Sequence, residues 1–263
     1  MPELPDLEVA RKYVNATSLH QEISSVEVRD ERILGDASAD GMIDALTGRS
    51  FDSTRRHGKN LFVGLDDGGW MLIHLGMTGR LWYFRDMDKD PPHDRFLISF
   101  RGGYHLALDD ARMFGKVDLL EDPDEFIEDK KLGPDPLSLD AASFRERFEG
   151  RRGGIKAALM NQQVVAGIGN IYSDEILFQA HLHPRTGLDR LDGDVLDEMH
   201  KQTLRVLKAA IKRGASPQEL PDSFLLSHRR EGERCPRGNG EIQKLTAAGR
   251  TAYYCPVCQP EAE

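Results

Sequence analysis

Hydrophobic spacing changes its period once along this chain, and that change limits the fold more than any other feature. Up to about residue 120 apolar residues alternate with polar ones. The runs "EISSVEVRD", "NLFVGLDD", "WMLIHLG", "RFLISFRGG" and "YHLALDD" read as strands, punctuated by Gly-Gly and Asp-Gly turns. "DGG" between "LFVGL" and "WMLIHL" predicts a tight hairpin. One helical stretch precedes them: "DLEVARKYVNATSL" repeats Leu7, Ala10, Tyr13 and Val14 at helical spacing. Beyond residue 140 the period is helical in "AASFRERFEG", "GIKAALMNQ", "IYSDEILFQA" and "GDVLDEMHKQTLRVLKAAIKRG". The last of these predicts a long amphipathic helix ending at Gly214, with Lys and Arg in its final turns, where the helix dipole favours them. In the tail, "EIQKL" and "RTAYYC" joined by "TAAG" read as a β-hairpin.

The fold class that follows is α+β: an N-terminal antiparallel β-sandwich with a leading helix, then a helical domain, then a C-terminal β-hairpin. A Pro- and Asp-rich stretch, "EDPDEFIEDKKLGPDPLSLD", separates the two periods. The expected boundaries are 1–125 for the sandwich, 126–140 for a linker, 141–223 for the helical domain and 224–263 for the hairpin. No apolar run is long enough to cross a membrane, and no signal-peptide pattern opens the chain, so a cytoplasmic protein is expected. Three cysteines, all near the C-terminus, argue for local metal binding or free thiols over a disulfide framework.

The net charge of −9 speaks against a nucleic-acid partner. Its distribution is uneven, however. Residues 145–156 hold five basic and two acidic side chains, and residues 229–250 hold six and three. Scattered solvated charge and a local basic face both remain open on this count.

Chemistry is concentrated in short stretches. The chain opens "MPELPD". A small residue at position 2 permits removal of the initiator Met, which would expose Pro2 as a secondary amine. An α-amino group has a reference pKa of about 7.7–8.0, so part of it is uncharged near neutral pH. Such an amine attacking an aldehyde-level carbon gives an iminium, an electron sink for elimination at the next carbon. Glu3 beside it can serve as general acid or base. An ordinary helix-entry loop reads the same way. "RRHGKNLFV" brings Lys59 to the start of a strand, and "HLGMTGRL" sets Met77 on a loop between Gly76 and Gly79. Met77 suits either hydrophobic filling or a wedge between stacked bases. "DDARMFG" offers Arg112 and Phe114, one to contact an orphaned base and one to stack. In "NQQVVAGIGNIYSDE" a glycine-rich turn precedes Asn170 and a helix, which suits either a phosphate or a tight helix–helix turn.

The motifs "MPELPDLE", "RRHGKNL", "HLGMTGRL", "ARMFG", "NQQVVAGIGNIYSDE" and "GRTAYYCPVCQ" occur in an order that resembles the formamidopyrimidine-DNA glycosylases, a family shared with endonuclease VIII. The resemblance runs from residue 1 to 259 and implies a helical domain of the helix-two-turn-helix type and a zinc-finger-like hairpin. It also implies a monomeric, nucleoid-associated glycosylase and AP lyase of base excision repair. The partner would be double-stranded DNA carrying oxidised bases or abasic sites, with no membrane and no redox cofactor. By resemblance Pro2 is the nucleophile, Glu3 its acidic partner and Lys59 the catalytic strand lysine. His74, Lys156, Asn170 and Arg250 resemble DNA-backbone contacts. Met77, Arg112 and Phe114 resemble the trio that fills the gap left by a flipped nucleotide. That trio resembles the branch preferring 8-oxoguanine and formamidopyrimidines; a pyrimidine-preferring endonuclease VIII-like enzyme and a non-catalytic lesion-binding protein are the alternatives. The lesion-covering loop is expected within residues 214–233.

Two departures from the family pattern stand out. Asp6 replaces the usual Glu, a shorter acid expected to support Pro2 at one remove. The finger pattern C-x₂-C-x₁₆-C-x₂-C reads here as C-x₂-G-x₁₆-C-x₂-C, with Gly238 in place of the second cysteine. Structural zinc normally takes four protein ligands. Cys235, Cys255 and Cys258 with an outside group (His228, a carboxylate such as Glu233, or water) would leave a weakened zinc site. A metal-free hairpin held by Ile242, Leu245, Tyr253 and Tyr254 is the other reading.

Overall fold

The alternating runs form two four-stranded antiparallel sheets within the first of two compact units. A computed structural model describes residues 1–238 and 240–261, and places Met1–Pro2 and Asp6–Lys130 in one unit, Glu3–Pro5 and the chain from Lys131 onward in the other. Helix α1 spans Leu4–Thr17, and strand β1 Ile23–Val28. Its start precedes the spacing-based expectation because Pro5 is tolerated in a first helical turn, where its missing N–H has no partner to lose. Helix α2 (Ala39–Leu46) follows, its N-terminus capped by Ser38, whose hydroxyl accepts from the Gly41 N–H.

Strands β2 (Phe51–His57), β3 (Asn60–Leu65), β4 (Trp70–His74), β5 (Arg80–Phe84), β6 (Asp94–Phe100), β7 (His105–Asp109) and β8 (Lys116–Leu120) complete the unit. The sheet orders are β1-β6-β7-β5 and β2-β3-β4-β8. The predicted β3–β4 hairpin pairs Gly64 with Trp70 and Asn60 with His74. Its turn places Gly68 and Gly69 at φ of 101° and 80°, which glycine adopts without strain. Strands β2, β5 and β8 carry no strong alternation. "FDSTRRH" of β2 buries only Phe51 fully, so its pairing with β3 comes from the sheet and not from its own pattern.

Inward residues of both sheets share one core. Leu61, Val63, Met71 and Ile73 from one sheet and Val26, Phe96, Ile98 and Leu106 from the other pack with Leu7 and Val14 of α1. Each such side chain contributes about 1.5–3 kcal/mol by leaving water. Strand β3 is buried along its whole length. On its other face, Phe62 meets Phe126 edge-on, ring centroids 5.8 Å apart. Phe126 belongs to helix α3 (Pro123–Asp129), so the stretch expected as linker contains an ordered helix that covers a sheet.

In the second unit, helices α4 (Ala141–Glu146), α5 (Ile155–Met160), α6 (Asn170–Gln179) and α7 (Gly193–Lys212) surround a separate core that includes Leu4, Phe144, Ile155, Ile176 and Val206. Helix α7 is the long amphipathic helix anticipated, capped by Asp192 and followed by Gly214 at φ 65°. Strands β9 (Gln243–Ala247) and β10 (Arg250–Tyr254) form the terminal hairpin, with Ala247 opposite Arg250. Helix α6 is buried on every side from Tyr172 to Gln179. Its polar residues must therefore find partners inside the protein, because unpaired buried polar groups are costly. Among the described residues no helix is long and apolar enough to cross a membrane.

Candidate active site and nucleic-acid interface

The N-terminal end of α6 has no side-chain cap of its own, because the capping position is Gly169. Glu3 fills that role from a distance of 166 residues in sequence. Its carboxylate accepts from the Gly169 N–H at 2.6 Å, the Ile171 N–H at 2.8 Å and the Tyr172 N–H at 3.3 Å. A helix N-terminus concentrates unpaired N–H groups and positive potential, so it holds an anion well. Glu3 is fully buried. The Leu4 N–H donates to the Gly167 carbonyl at 3.0 Å, which pins the next residue to the same turn. Pro2, partly buried, is joined covalently to this anchored pair. Asp6 lies in the first turn of α1, where an acid also favours the helix.

Just inside that turn a buried charge cluster forms. Asp174 is fully buried and takes an ion pair from Lys156, a second from Arg229 at 2.8 Å, and the Tyr253 N–H at 3.1 Å. Lys156 also donates to the Ser173 hydroxyl at 3.2 Å. Burial lowers the Lys156 pKa, and the Asp174 charge opposes that. Expected beside DNA phosphates, Lys156 is wholly enclosed in this structure and meets Asp174. The Arg229 guanidinium lies 4.7 Å from the Tyr253 ring centre. Asn170 donates from Nδ2 to the Thr251 carbonyl at 3.1 Å, while its Oδ1 is buried without a hydrogen-bond partner. Asp174 and Asn170 thus tie the N-terminal half of α6 to strand β10. Arg250 stands exposed at the first position of that strand.

The remaining predicted residues lie in the first unit. Lys59 follows Gly58 in the β2–β3 turn and is partly buried. His74 ends β4, and its Nδ1 accepts from the Gly76 N–H at 3.0 Å, which leaves Nε2 to carry the proton. Burial lowers the His74 pKa, and the nearby Lys59 charge adds to this. Both effects favour the neutral ring, with Nε2 as the N–H donor. Met77 is half-buried, while Arg112 and Phe114 are exposed, with the guanidinium 5.2 Å from the Phe114 ring centre.

Asp110 organises these two loops, a role the sequence did not suggest. It is fully buried and accepts from the Thr78 hydroxyl at 2.5 Å, the Arg112 N–H at 3.2 Å and the Gly115 N–H at 2.7 Å. These bonds outweigh burial and hold its pKa below the usual carboxylate range. A Cβ on Gly76 would lie 2.2 Å from the Phe114 carbonyl carbon, so the Met77 loop and the Phe114 loop touch through their backbones. In "DDARMFG" either Asp could have done this, and only the fold distinguishes them.

Comparison with known proteins bears directly on this arrangement. Residues 1–117 match the formamidopyrimidine-DNA glycosylase N-terminal domain, and residues 132–221 match the H2TH domain of the same enzymes. The chain belongs to the formamidopyrimidine-DNA glycosylase family. It is 32% identical to the formamidopyrimidine-DNA glycosylase of Gloeobacter violaceus over 98% of both chains, and 34% identical to that of Synechocystis sp. over all of both. Its fold is similar to a crystal structure of Lactococcus lactis formamidopyrimidine DNA glycosylase non-covalently bound to DNA containing an AP site. That likeness has a TM-score of 0.88, 31% identity, and coverage of 98% of this chain and 100% of that one. A second Lactococcus lactis structure, bound to DNA containing N7-benzyl-Fapy-dG, is similar at the same TM-score.

The family implies a structural zinc, and the thiols fit three of its four corners. The Sγ atoms of Cys235, Cys255 and Cys258 lie within 4.8 Å of one another, all buried. The Cys235–Cys258 separation is 3.7 Å, close to the spacing of about 3.8 Å that two zinc–sulfur bonds of ~2.3 Å give in a tetrahedron. Among the described residues neither His228 nor Glu233 joins this group. Burial, with its two neighbouring thiols, pushes Cys258 up to about 11.

One further buried acid on α6 makes a test of pH dependence. Glu175 accepts from the Gln179 amide at 2.7 Å and the Leu226 N–H at 2.8 Å, yet burial pushes its pKa up to about 7. An unfolded Glu titrates near 4.3. Between roughly pH 4.5 and 7 the native state therefore holds a proton that the unfolded state has released. Stability falls as pH rises through that window, and the contribution is flat above it. Glu175→Gln should remove this slope, worth at most about 1.4 kcal/mol per pH unit. Urea midpoints of both proteins at pH 5 and 7.5 measure it; equal drops in the two would refute the assignment.

Proposed function

We propose that the chain is a bifunctional DNA glycosylase and AP lyase of base excision repair that removes oxidised purines from duplex DNA. The observation that carries the reading is the Glu3 carboxylate held on the N–H groups that open α6, one residue from Pro2. With the initiator Met removed, the Pro2 nitrogen attacks C1′ of the damaged nucleotide. The glycosidic bond breaks, and its electron pair leaves with the base, which takes up a proton. The resulting iminium acidifies C2′; loss of a C2′ proton expels the 3′ phosphate by β-elimination, and δ-elimination then expels the 5′ phosphate. Glu3 assists opening of the sugar ring and the proton transfers. Lys59 acts with them at the lesion phosphate, and Asp6 supports the Pro2 environment.

His74, Asn170 and Arg250 are assigned to the DNA backbone, and Lys156 to holding Asp174 beneath Asn170. Met77, Arg112 and Phe114 fill the gap left when the nucleotide is flipped, a step costing a few kcal/mol and least at damaged pairs. The solved relatives bound to AP-site DNA and to a formamidopyrimidine lesion support this substrate class. Any zinc held by Cys235, Cys255 and Cys258 would sit within the finger and take no part in the chemistry. A monomer associated with the nucleoid completes the reading.

Purine preference is tested by single-turnover excision from duplexes carrying 8-oxoguanine or 5-hydroxyuracil. At least tenfold faster release of 8-oxoguanine is expected, and the reverse order would assign the chain to the pyrimidine branch.

A further inference from the structure

A finger that lacks one ligand still has to fix its first knuckle, the turn after Cys235. In this protein the turn is closed by backbone bonds, Gly238 N–H to the Cys235 carbonyl at 2.8 Å and Cys235 N–H to the Gly240 carbonyl at 2.8 Å. Gly238 itself has φ 76°, a left-handed conformation that disfavours cysteine. The residue before it, Arg237, reaches out of the knuckle to the far end of α6. Its Nη1 lies against the His181 ring, 2.9 Å from Nδ1 and 2.7 Å from Nε2. Nη2 lies 3.4 Å from the Gln179 carbonyl and 3.2 Å from its Oε1. The guanidinium carbon stands 4.5 Å from the centre of the fully buried Phe178 ring.

Phe178 in turn packs in one apolar cluster with Cys235, Cys255, Cys258, Leu225 and Ile242. Buried free thiols behave as small hydrophobes in such a cluster. The second knuckle is tied to the same end of α6 by a different route. Gln259 is fully buried; its Oε1 accepts from the Cys255 N–H at 3.0 Å and its Nε2 donates to the Leu182 carbonyl at 2.7 Å. His181 also reaches the second knuckle, its Nδ1 3.1 Å from the Cys258 carbonyl.

We propose that Arg237 replaces the fourth metal ligand as the tie on the first knuckle, so that the finger keeps its fold with three thiols and without dependence on zinc. A planar guanidinium is suited to this, because it stacks on Phe178 and donates in several directions at once. The consequence is a positioning role: Arg237 holds the hairpin whose turn leads into Arg250, without touching DNA. This inference does not rest on the proposed reaction, and its test uses no substrate.

Hydrogen exchange of the full chain, read on peptides covering residues 241–258, compares wild type, Arg237→Gln and Arg237→Lys, each zinc-loaded and after treatment with a zinc chelator. Wild type should keep its protection within about twofold on chelation. Arg237→Gln should lose at least tenfold once zinc is removed, and Arg237→Lys should lose nearly as much, because an ammonium cannot reproduce the stacked fork. Loss in Arg237→Gln with zinc still present would support the same reading. Protection of α7 peptides must stay unchanged, which separates a local effect from general unfolding. The proposal is overturned if chelated wild type loses protection as fully as chelated Arg237→Gln, if chelated Arg237→Gln keeps it, or if α7 loses protection in step with the finger.

Discussion

Protein purified without a tag and with its initiator Met removed should form a covalent adduct with abasic-site DNA under borohydride, and the linkage should map to Pro2. Adding one residue ahead of Pro2 should abolish that adduct and lower base excision by at least ~1000-fold. The reason is electronic. A secondary amine has a lone pair available to attack C1′, and near its reference pKa of about 7.7–8.0 a useful fraction is unprotonated. Acylation makes it an amide whose lone pair is delocalised into the carbonyl. A thousandfold loss corresponds to about 4 kcal/mol of transition-state stabilisation, a reasonable share for a covalent route that splits one hard step into two. Glu3, its partners on α6 and the loops bearing Met77 and Phe114 are unchanged by the extension, so DNA affinity should fall little. An extended protein that still traps at wild-type yield would assign the nucleophile elsewhere, and an untagged protein that traps nothing would remove the Schiff-base mechanism altogether.

The sequence made the periods and the motifs legible, but not the connections between them. Strands β3, β4, β6 and β7 were readable because each alternates or is bounded by glycine turns. Strand β2 was not, because its residues are mostly polar and its pairing is supplied by β3. The catalytic candidates were visible as short motifs, whereas their supports were not. Glu3 and Gly169 lie 166 positions apart, and no spacing rule joins them. Asp174 looked like one more polar residue on an ordinary helix. Its role emerges only because α6 is buried on every side, so that its carboxylate must gather Lys156, Arg229 and the Tyr253 N–H. Arg237 was equally illegible, since His181 and Gln179, which it meets, lie 56 and 58 positions away in sequence. The net charge of −9 pointed away from nucleic acid, whereas solved relatives of the same fold are bound to DNA.

Gly169→Ala should lower base excision by at least ~100-fold while leaving an intact Glu3 in the chain. Gly169 has φ −129° and ψ −157°, an extended conformation that alanine adopts without strain. The obstacle is space. A Cβ at this position would lie 2.5 Å from the Glu3 Cδ and 2.5 Å from its Oε1. Glu3 is buried, so its carboxylate cannot retreat into solvent and must give up some of its bonds to the Gly169, Ile171 and Tyr172 N–H groups. Leaving these buried groups short of partners costs about 1–3 kcal/mol of stability. The loss in rate, about 2.7 kcal/mol for a hundredfold, has a separate cause: a carboxylate displaced by an ångström no longer meets the atom whose proton it transfers. Glu3→Gln is the complementary change: it preserves shape but turns an amide donor toward buried N–H donors, at about 1–3 kcal/mol. The decisive comparison is single-turnover excision against affinity for a duplex carrying a non-cleavable abasic analogue. Binding within threefold of wild type with excision down a hundredfold would tie Glu3's role to its position on α6. Full excision by Gly169→Ala would show that this position is not what the reaction needs.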